Sequence, residues 1–106
     1  MPKFLVTSSY TLEGAKGLRK EGGTSREQAA RAAIESLGGK MEAFYFSFGD
    51  QDAILIADFP SAAAAAGLSL AVAVAGGARC KTMPLLTPAE MDHAASAKSA
   101  YRAPGQ

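Results

Sequence analysis

Two short apolar runs in the middle of the chain carry the clearest pattern. They span residues 41–48 and 53–59, and residues 49–52, Gly-Asp-Gln-Asp, separate them. Both runs are rich in aromatic and β-branched side chains, and Gly and Asp are common turn residues, so the pattern predicts a β-hairpin. A hairpin with one wet face would alternate between apolar and polar positions, but both sides of these runs are apolar. We therefore expect both faces of the hairpin to be covered.

The residues before the hairpin predict one strand and an interrupted helix. Residues 3–9 alternate as a strand, and Thr11 is a candidate N-cap for the helix that follows. Residues 21–23, Glu-Gly-Gly, interrupt this helix. Thr24 and Glu27 stand at capping-box spacing, which predicts that the helix restarts there. The restarted helix then has one apolar stripe, at Ala30, Ala33, Ile34 and Leu37.

After the hairpin the pattern predicts a helix, a fourth strand and a last short helix. The helix starts at residues 60–61, Pro-Ser, ends at residues 76–77, Gly-Gly, and is rich in Ala with no charge. Residues 78–86 read as a strand that lies at an edge or ends at Pro84, which cannot donate to a ladder. Thr87, Pro88 and Glu90 then form a strong helix start.

The predicted order of elements indicates an α+β fold. It matches the ferredoxin-like βαββαβ arrangement, with a four-stranded antiparallel sheet and two helices on one face. Because the hairpin is apolar on both sides, we expect the helix-free face to meet the sheet of a second copy, as a dimeric α/β barrel. We assign residues 1–87 to this domain, and residues 88–106 to a C-terminal helix and frayed tail of the same domain.

Composition excludes several classes of function. The formal charge of +1 gives no bulk attraction to nucleic acid or to an anionic membrane. One cysteine and one histidine make a zinc site improbable, and no motif for a cofactor is present, so we predict neither metal nor cofactor. The lone Cys80 fits a reducing compartment, and no secretory leader or membrane span is expected; we predict a cytoplasmic protein.

Five polar residues are candidates for a small-molecule site between the sheet and its covering layer. Tyr10, Tyr45 and Asp52 belong to the first strand and the hairpin, and Lys16 and Arg26 flank the break in the first helix. Hydroxyl, carboxylate and cationic groups converging on an apolar pocket are the usual anatomy of such a site. Each residue also has a purely structural interpretation: the tyrosines as core or subunit contact, Lys16 and Arg26 as a solvated helix face, and Asp52 as a turn cap.

Other candidates have weaker support from the sequence. We predict that Gly49 and Asp52 shape the turn, with Gly49 required for the backbone geometry. His93 on the last helix could act as a general base, but a lone exposed histidine is more often without function. Cys80 is interpreted as a small core residue.

Several segments together resemble the GYD domain family, over about residues 4–86. The matching features are residues 10–18, Tyr-Thr-Leu-Glu-Gly-Ala-Lys-Gly-Leu, then Arg26, residues 38–40, Gly-Gly-Lys, the turn Gly49-x-x-Asp52, and Pro60. The family most often has Tyr where this chain has Gln51. The resemblance implies a ferredoxin-like fold similar to dimeric α/β barrels, but it implies no particular reaction.

Three classes of function remain open. The first is a homo-oligomeric domain, dimeric or higher, that binds a small organic ligand or regulates without catalysis. The second is a cofactor-independent enzyme, an oxygenase or isomerase, with Tyr45, Asp52 or His93 as acid–base groups. The third is RNA binding, which the absence of stacking aromatics at Leu5 and Ile54 disfavours. The sequence does not decide whether the protein is an enzyme.

Overall fold

A computed structural model describes residues 1–47 and 49–106 of the chain. The elements are β1 (Lys3–Tyr10), α1 (Leu12–Glu21), α2 (Gly23–Ser36), β2 (Lys40–Phe46), β3 (Ala53–Asp58), α3 (Ala62–Ala75), β4 (Ala78–Leu85) and α4 (Pro88–Ala95). The strands form one antiparallel sheet in the order β2-β3-β1-β4. This arrangement confirms the predicted α+β, ferredoxin-like fold. The dimeric barrel stays a prediction.

Strand periodicity divides the sheet into a covered face and a helix-free face. Phe4 and Val6 on β1 and Leu55 on β3 are buried, and the core also holds Ile34 of α2 and Leu68 of α3. The predicted stripe of α2 is confirmed, since Ala30, Ala33 and Leu37 pack against the same cluster. Phe4 and Phe59 meet edge to face, with ring centroids 5.8 Å apart. The core therefore lies between one face of the sheet and helices α2 and α3.

The first helical region breaks where the sequence indicates, but α2 begins differently from the prediction. Thr11 caps α1 by accepting a hydrogen bond from the Gly14 amide, as predicted. Gly22 ends α1 at φ 86° and is also the N-cap of α2, without a side-chain cap. The predicted restart at a Thr24–Glu27 capping box is therefore wrong. Thr24 already lies inside α2, whereas an N-cap residue needs non-helical backbone angles.

Short-range signals set most of the remaining termini. Ser61 caps α3 through the Ala64 amide, and Gly76 ends it in the left-handed conformation. Gly38, which follows α2, also has positive φ. Thr87 and Glu90 form the predicted capping box of α4. β4 is an edge strand, as its proline suggested.

The central hairpin is confirmed, with a shift in its first strand. β2 begins at Lys40 and ends at Phe46, whereas the prediction ran from 41 to 48; Phe48 lies outside the described residues. The pairing of β2 with β3 shifts register between Met41 and Ala43, which places an extra residue at Glu42. The φ angle of Gly49 depends on the position of Phe48, so its predicted backbone role stays a prediction.

The helix-free face of the sheet has an apolar centre that its own chain leaves open. Leu5, Ile54 and Ile56 are only half-buried there, and Tyr45 and Met83 are exposed. At one end Lys3 bridges Glu42 and Asp58, at 2.8 and 3.0 Å. A cover for this face by the last helix of the same chain would bury Met91 and His93, but both are exposed. Among the residues that the structure describes, those of a single chain cover one face of the hairpin and leave the other open.

The C-terminal residues 86–106, here called the arm, extend away from the domain. No residue of the arm is buried. The last helix ends at Ala95. In the described part of the chain, no helix has both the length and the apolar character needed to cross a membrane.

Candidate functional site

Three adjoining cavities meet at the side chain of Tyr10, and we call them together the Tyr10 cleft. An outer cavity of about 300 Å³ lies between α1 and the end of α3. A second, of about 470 Å³, lies between α1 and the end of β2. The third, of about 90 Å³, reaches inward between the sheet and helices α2 and α3. The walls are mainly apolar, with Leu18, Phe46 and Val72 among them.

The sheet positions Tyr10 through pairing on both sides of β1. Tyr10 is the last residue of β1 and pairs with Ala78 of β4. On its other side, β3 has ended, and the Tyr10 amide donates instead to Asp52 Oδ2 at 2.8 Å. Because its neighbours at 4, 6 and 8 face the helices, Tyr10 faces them too. The phenol ring therefore stands at the edge of the core, where α1 contacts β1.

Asp52 connects the hairpin turn to the central strand. Its amide donates to the Ser8 carbonyl at 2.8 Å, and its own carbonyl accepts from the Ser47 amide at 2.9 Å. Ser9 adds a side-chain hydrogen bond to Gln51, at 3.3 Å. Asp52 thus caps β1 where regular pairing ends, and the same residue lines the cavity beside Phe46.

The start of α1 forms the outer wall of the cleft and is fixed to the turn after α3. The Thr11 amide donates to the Gly77 carbonyl at 3.0 Å, and the Thr11 hydroxyl donates to the Gly76 carbonyl at 2.8 Å. A Cβ atom on Gly14 would lie 1.7 Å from the Gly77 carbonyl oxygen. Only glycine permits this close approach of helix and turn.

Arg26 and Glu21 form the charged rim of the outer cavity. They lie on either side of the Gly22 break, and the Arg26 guanidinium contacts Glu21 Oε1 at 3.2 Å. Both side chains are about two-fifths exposed, 42% and 41%, so this ion pair contributes little to stability. Its geometry instead keeps the guanidinium over the cleft, where Arg26 lines both the outer and the inner cavity.

Burial raises the pKa of the Tyr10 phenol above its ordinary value. The Arg26 guanidinium opposes this shift, and the charges of Asp52, Cys80 and Glu21 add to it. At neutral pH the phenol therefore keeps its proton and can donate a hydrogen bond. It cannot serve as a general base without first losing a proton that the site retains.

The inner cavity contains a second pair of small polar groups. Ser8 Oγ and Cys80 Sγ lie 3.3 Å apart across β1 and β4. Cys80 is half-buried and packs against the core, in line with its predicted role as a small core residue. The inward end of the cleft is thus weakly polar, with Val6, Leu55 and Leu68 around it.

The structure brings together three of the five predicted site residues. Tyr10, Arg26 and Asp52 all line the Tyr10 cleft. Lys16 is exposed on α1 and does not line these cavities. Tyr45 pairs with Ile54 on the helix-free face and is 70% exposed, so it cannot share a pocket with Tyr10. His93 lies in the arm, away from the cleft.

The sequence analysis did not single out Glu21, Leu18 or Phe46 as site residues. The signal for Glu21 was its position just before the glycine break, with Arg26 five residues later. Phe46 meets Gly23, where an added Cβ would lie 2.9 Å from its ring, and this long-range contact has no local signature. In the described residues, no group of three or more metal-ligating side chains is close enough to hold an ion.

Comparison with known proteins identifies the family of the chain. The family model described as the GYD domain matches residues 4–95. No curated protein and no solved structure is significantly similar to the chain. The family match covers the sheet from Phe4 onward, the Tyr10 cleft and α4, and it agrees with the resemblance carried by residues 10–18, Arg26 and the hairpin turn. The chain therefore belongs to the GYD domain family.

Proposed function

We propose that this protein is a homo-oligomeric domain that binds a small organic ligand in the Tyr10 cleft and does not catalyse a reaction on it. The observation that carries this proposal is the convergence of Tyr10, Arg26 and Asp52 on adjoining, mainly apolar cavities of about 300 and 470 Å³. Ligand sites commonly have volumes of roughly 300–1,000 Å³ and few polar groups.

The polar groups of the cleft suit recognition of an uncharged or weakly polar molecule. Arg26 is already paired with Glu21, and Asp52 accepts from the Tyr10 amide, so the charges are largely engaged. The protonated Tyr10 hydroxyl can then donate to a ligand oxygen, while Leu18, Phe46 and Val72 contact its apolar part.

The alternative function is a cofactor-independent enzyme in the same cleft. The raised pKa of Tyr10 favours one role within that alternative, a proton donor to a developing oxyanion. Its base would have to be a carboxylate such as Asp52 or Glu21, and both already have partners, the Tyr10 amide and Arg26. This pairing supports binding ahead of catalysis.

A fragment screen by NMR tests the binding proposal. We expect fragments that bind to shift the amide resonances of Tyr10, Leu18 and Asp52. We expect Tyr10→Phe to weaken the binding of these fragments. Tyr101→Phe is the matched control, because Tyr101 lies in the exposed arm. If the fragments bind at scattered places on the surface and none binds near Tyr10, the proposed site is wrong. Turnover of a hit would favour the enzyme instead.

The helix-free face supports the second part of the proposal, self-association. Its apolar centre at Leu5, Ile54 and Ile56 is bordered by the Lys3 cluster at one end and by Arg79 and Lys81 on β4. An apolar centre with a polar rim is typical of a protein interface. A second copy is the occupant that fits, because an isologous contact pairs this one surface with itself.

Light scattering of two charge variants tests self-association. Ile54→Glu places a carboxylate at the centre of the face and should convert the dimer to a monomer. Leu12→Glu is the control, because Leu12 is equally apolar and 69% exposed, but lies on α1. A wild-type protein that is monomeric at micromolar concentration would contradict the proposal.

A further inference from the structure

The arm, residues 86–106, contains the helix α4, and none of its residues is buried in its own chain. In the capping box of α4, the Thr87 amide donates to Glu90 Oε1 at 2.8 Å and the Glu90 amide donates to Thr87 Oγ1 at 3.1 Å. Pro88 is the first residue of the helix. Among the described residues, every hydrogen bond of the arm joins two arm residues. An isolated helix shorter than about 12 residues is marginal in water, and α4 has eight. A helix this short needs a packing partner.

Among the described residues, no part of the same chain buries the arm, and the molecule is extended in shape. The radius of gyration is 16.7 Å, whereas a compact chain of this length has about 13 Å. The longest dimension is 57 Å, about twice the length of an eight-residue strand at roughly 3.3 Å per residue. Only Leu86 and Thr87 separate β4 from α4, so the arm starts directly at the end of the sheet.

One face of α4 combines apolar and acidic groups. Ala95 lies four residues after Met91 and three residues after Asp92, so its side chain neighbours both of them on the surface of the helix. All three are exposed, and Asp92 makes no ion pair within the described residues. Glu90 is not available in the same way, because its carboxylate accepts from the Thr87 amide.

The outward row of β4 has the complementary character. Arg79, Lys81 and Met83 alternate along this edge strand on the helix-free side, and all three are exposed. Neither cation has an ion-pair partner in the described part of the chain. The row thus offers two positive charges beside an exposed methionine, which match the Asp92 carboxylate and the Met91 side chain of α4.

We propose that the arm is exchanged between subunits, so that α4 of one copy docks on the outward row of β4 of a second copy. The inference rests on the proposed self-association, which brings the two helix-free faces together and places each arm beside the other subunit. In this position Asp92 faces the second copy's Lys81 or Arg79, and Met91 packs on its Met83. The exchange covers α4 and extends the interface beyond the centre of the sheet.

Cross-linking between two differently tagged full-length chains tests the exchange. Both chains carry Cys80→Ser, which removes the native thiol. One chain also carries Met91→Cys and the other Met83→Cys, and a short bismaleimide is added to the mixture. We expect a covalent dimer that contains one chain of each kind. Leu70→Cys is the matched control for Met83→Cys, because Leu70 is at least as exposed, 67% against 58%, but lies on α3.

Reversing the charges of the proposed ion pair provides an independent check in the same assay. Asp92→Lys in the Met91→Cys chain should lower the yield of mixed dimer several-fold, and Lys81→Glu in the Met83→Cys chain should restore it. An equal or higher yield with Leu70→Cys would overturn the proposal, since α4 would then dock on α3.

Light scattering on the same samples separates the two proposals. A non-covalent dimer that gives no mixed cross-link overturns arm exchange and leaves the sheet-to-sheet contact intact. A monomer overturns both. A double variant with both cysteines in one chain, diluted with cysteine-free chain, should lose its cross-link; retention of an intrachain cross-link would mean that α4 folds back on its own β4.

Discussion

Tyr10 serves the fold and the cleft with different atoms. Its backbone amide holds Asp52, and its register with Ala78 fixes the end of β1. Its side chain lines three adjoining cavities, and its hydroxyl keeps its proton because burial disfavours the charged form. A substitution that keeps the ring and removes the hydroxyl therefore tests the cleft without disturbing the strand.

The first prediction concerns the titration of Tyr10. We expect the tyrosinate absorbance that is lost in Tyr10→Phe to have a midpoint above the ordinary pKa of 10.0. Because the folded-state pKa is raised, the contribution of this group to stability is complete below pH 10.0 and is lost as the pH rises through the folded-state pKa. Tyr101→Phe supplies the reference for an exposed tyrosine. A difference spectrum with a midpoint at or below 10.0 would contradict the assigned burial.

The second prediction contrasts two glycines on the same helix. Gly14→Ala forces a Cβ against the Gly77 carbonyl, and overpacking of this kind costs about 1–3 kcal/mol. Gly17→Ala meets nothing within 4 Å, and replacing Gly by Ala inside a helix stabilises by roughly 0.5–1 kcal/mol. Urea unfolding at one fixed protein concentration should give free-energy changes of opposite sign. Equal effects would mean that α1 does not press on the turn.

At the scale of elements, Asp52 joins the hairpin to the central strand, and the third prediction follows. Asp52→Ala removes the acceptor of the Tyr10 amide and should lower the free energy of unfolding by about 1–3 kcal/mol. Asp52→Asn keeps an acceptor oxygen and should recover most of that loss. Thermal unfolding at one protein concentration measures both. If Asn is as damaging as Ala, the charge matters more than the hydrogen bond.

Helix ends were predictable from the sequence where the capping interaction is local. Thr11, Ser61 and the Thr87–Glu90 pair each bond a backbone amide within three residues, so the short-range pattern contains the whole interaction. Thr24 and Glu27 had the same spacing, yet the turn at Gly22 starts α2 one residue before Thr24. The bulge near Glu42 could not be predicted from the sequence either, because the pairing of β2 with β3 determines it.

The candidate site was predictable for residues next to a break in periodicity. Tyr10, Arg26 and Asp52 flank the end of a strand, the glycine interruption and the turn, and the fold brings these three ends together. Tyr45 has the opposite strand parity from Phe44, but the apolar pattern on both sides did not show which side faces the helices. Phe46 and Gly23 meet only through the tertiary structure.

At the scale of the whole molecule, the proposed self-association would make stability depend on protein concentration, which gives the fourth prediction. A partner that binds only the folded state raises the apparent stability by mass action. We therefore expect the melting temperature of the wild-type protein to rise with protein concentration, and that of Ile54→Glu to stay constant. Differential scanning calorimetry over a wide concentration range measures both. A constant wild-type melting temperature would argue for a folded monomer.

The attachment of α1 has a consequence for local motion. Hydrogen bonds from Thr11 fix its first turn and Gly22 joins it to α2, but no residue of α1 is buried. This helix can open without exposing Phe59 or Ile34, the centre of the core. We expect the amides of α1 to exchange with deuterium well before those of α2 and β1. A ligand in the cleft should slow this exchange selectively, so the protection of α1 would report occupancy without knowledge of the ligand.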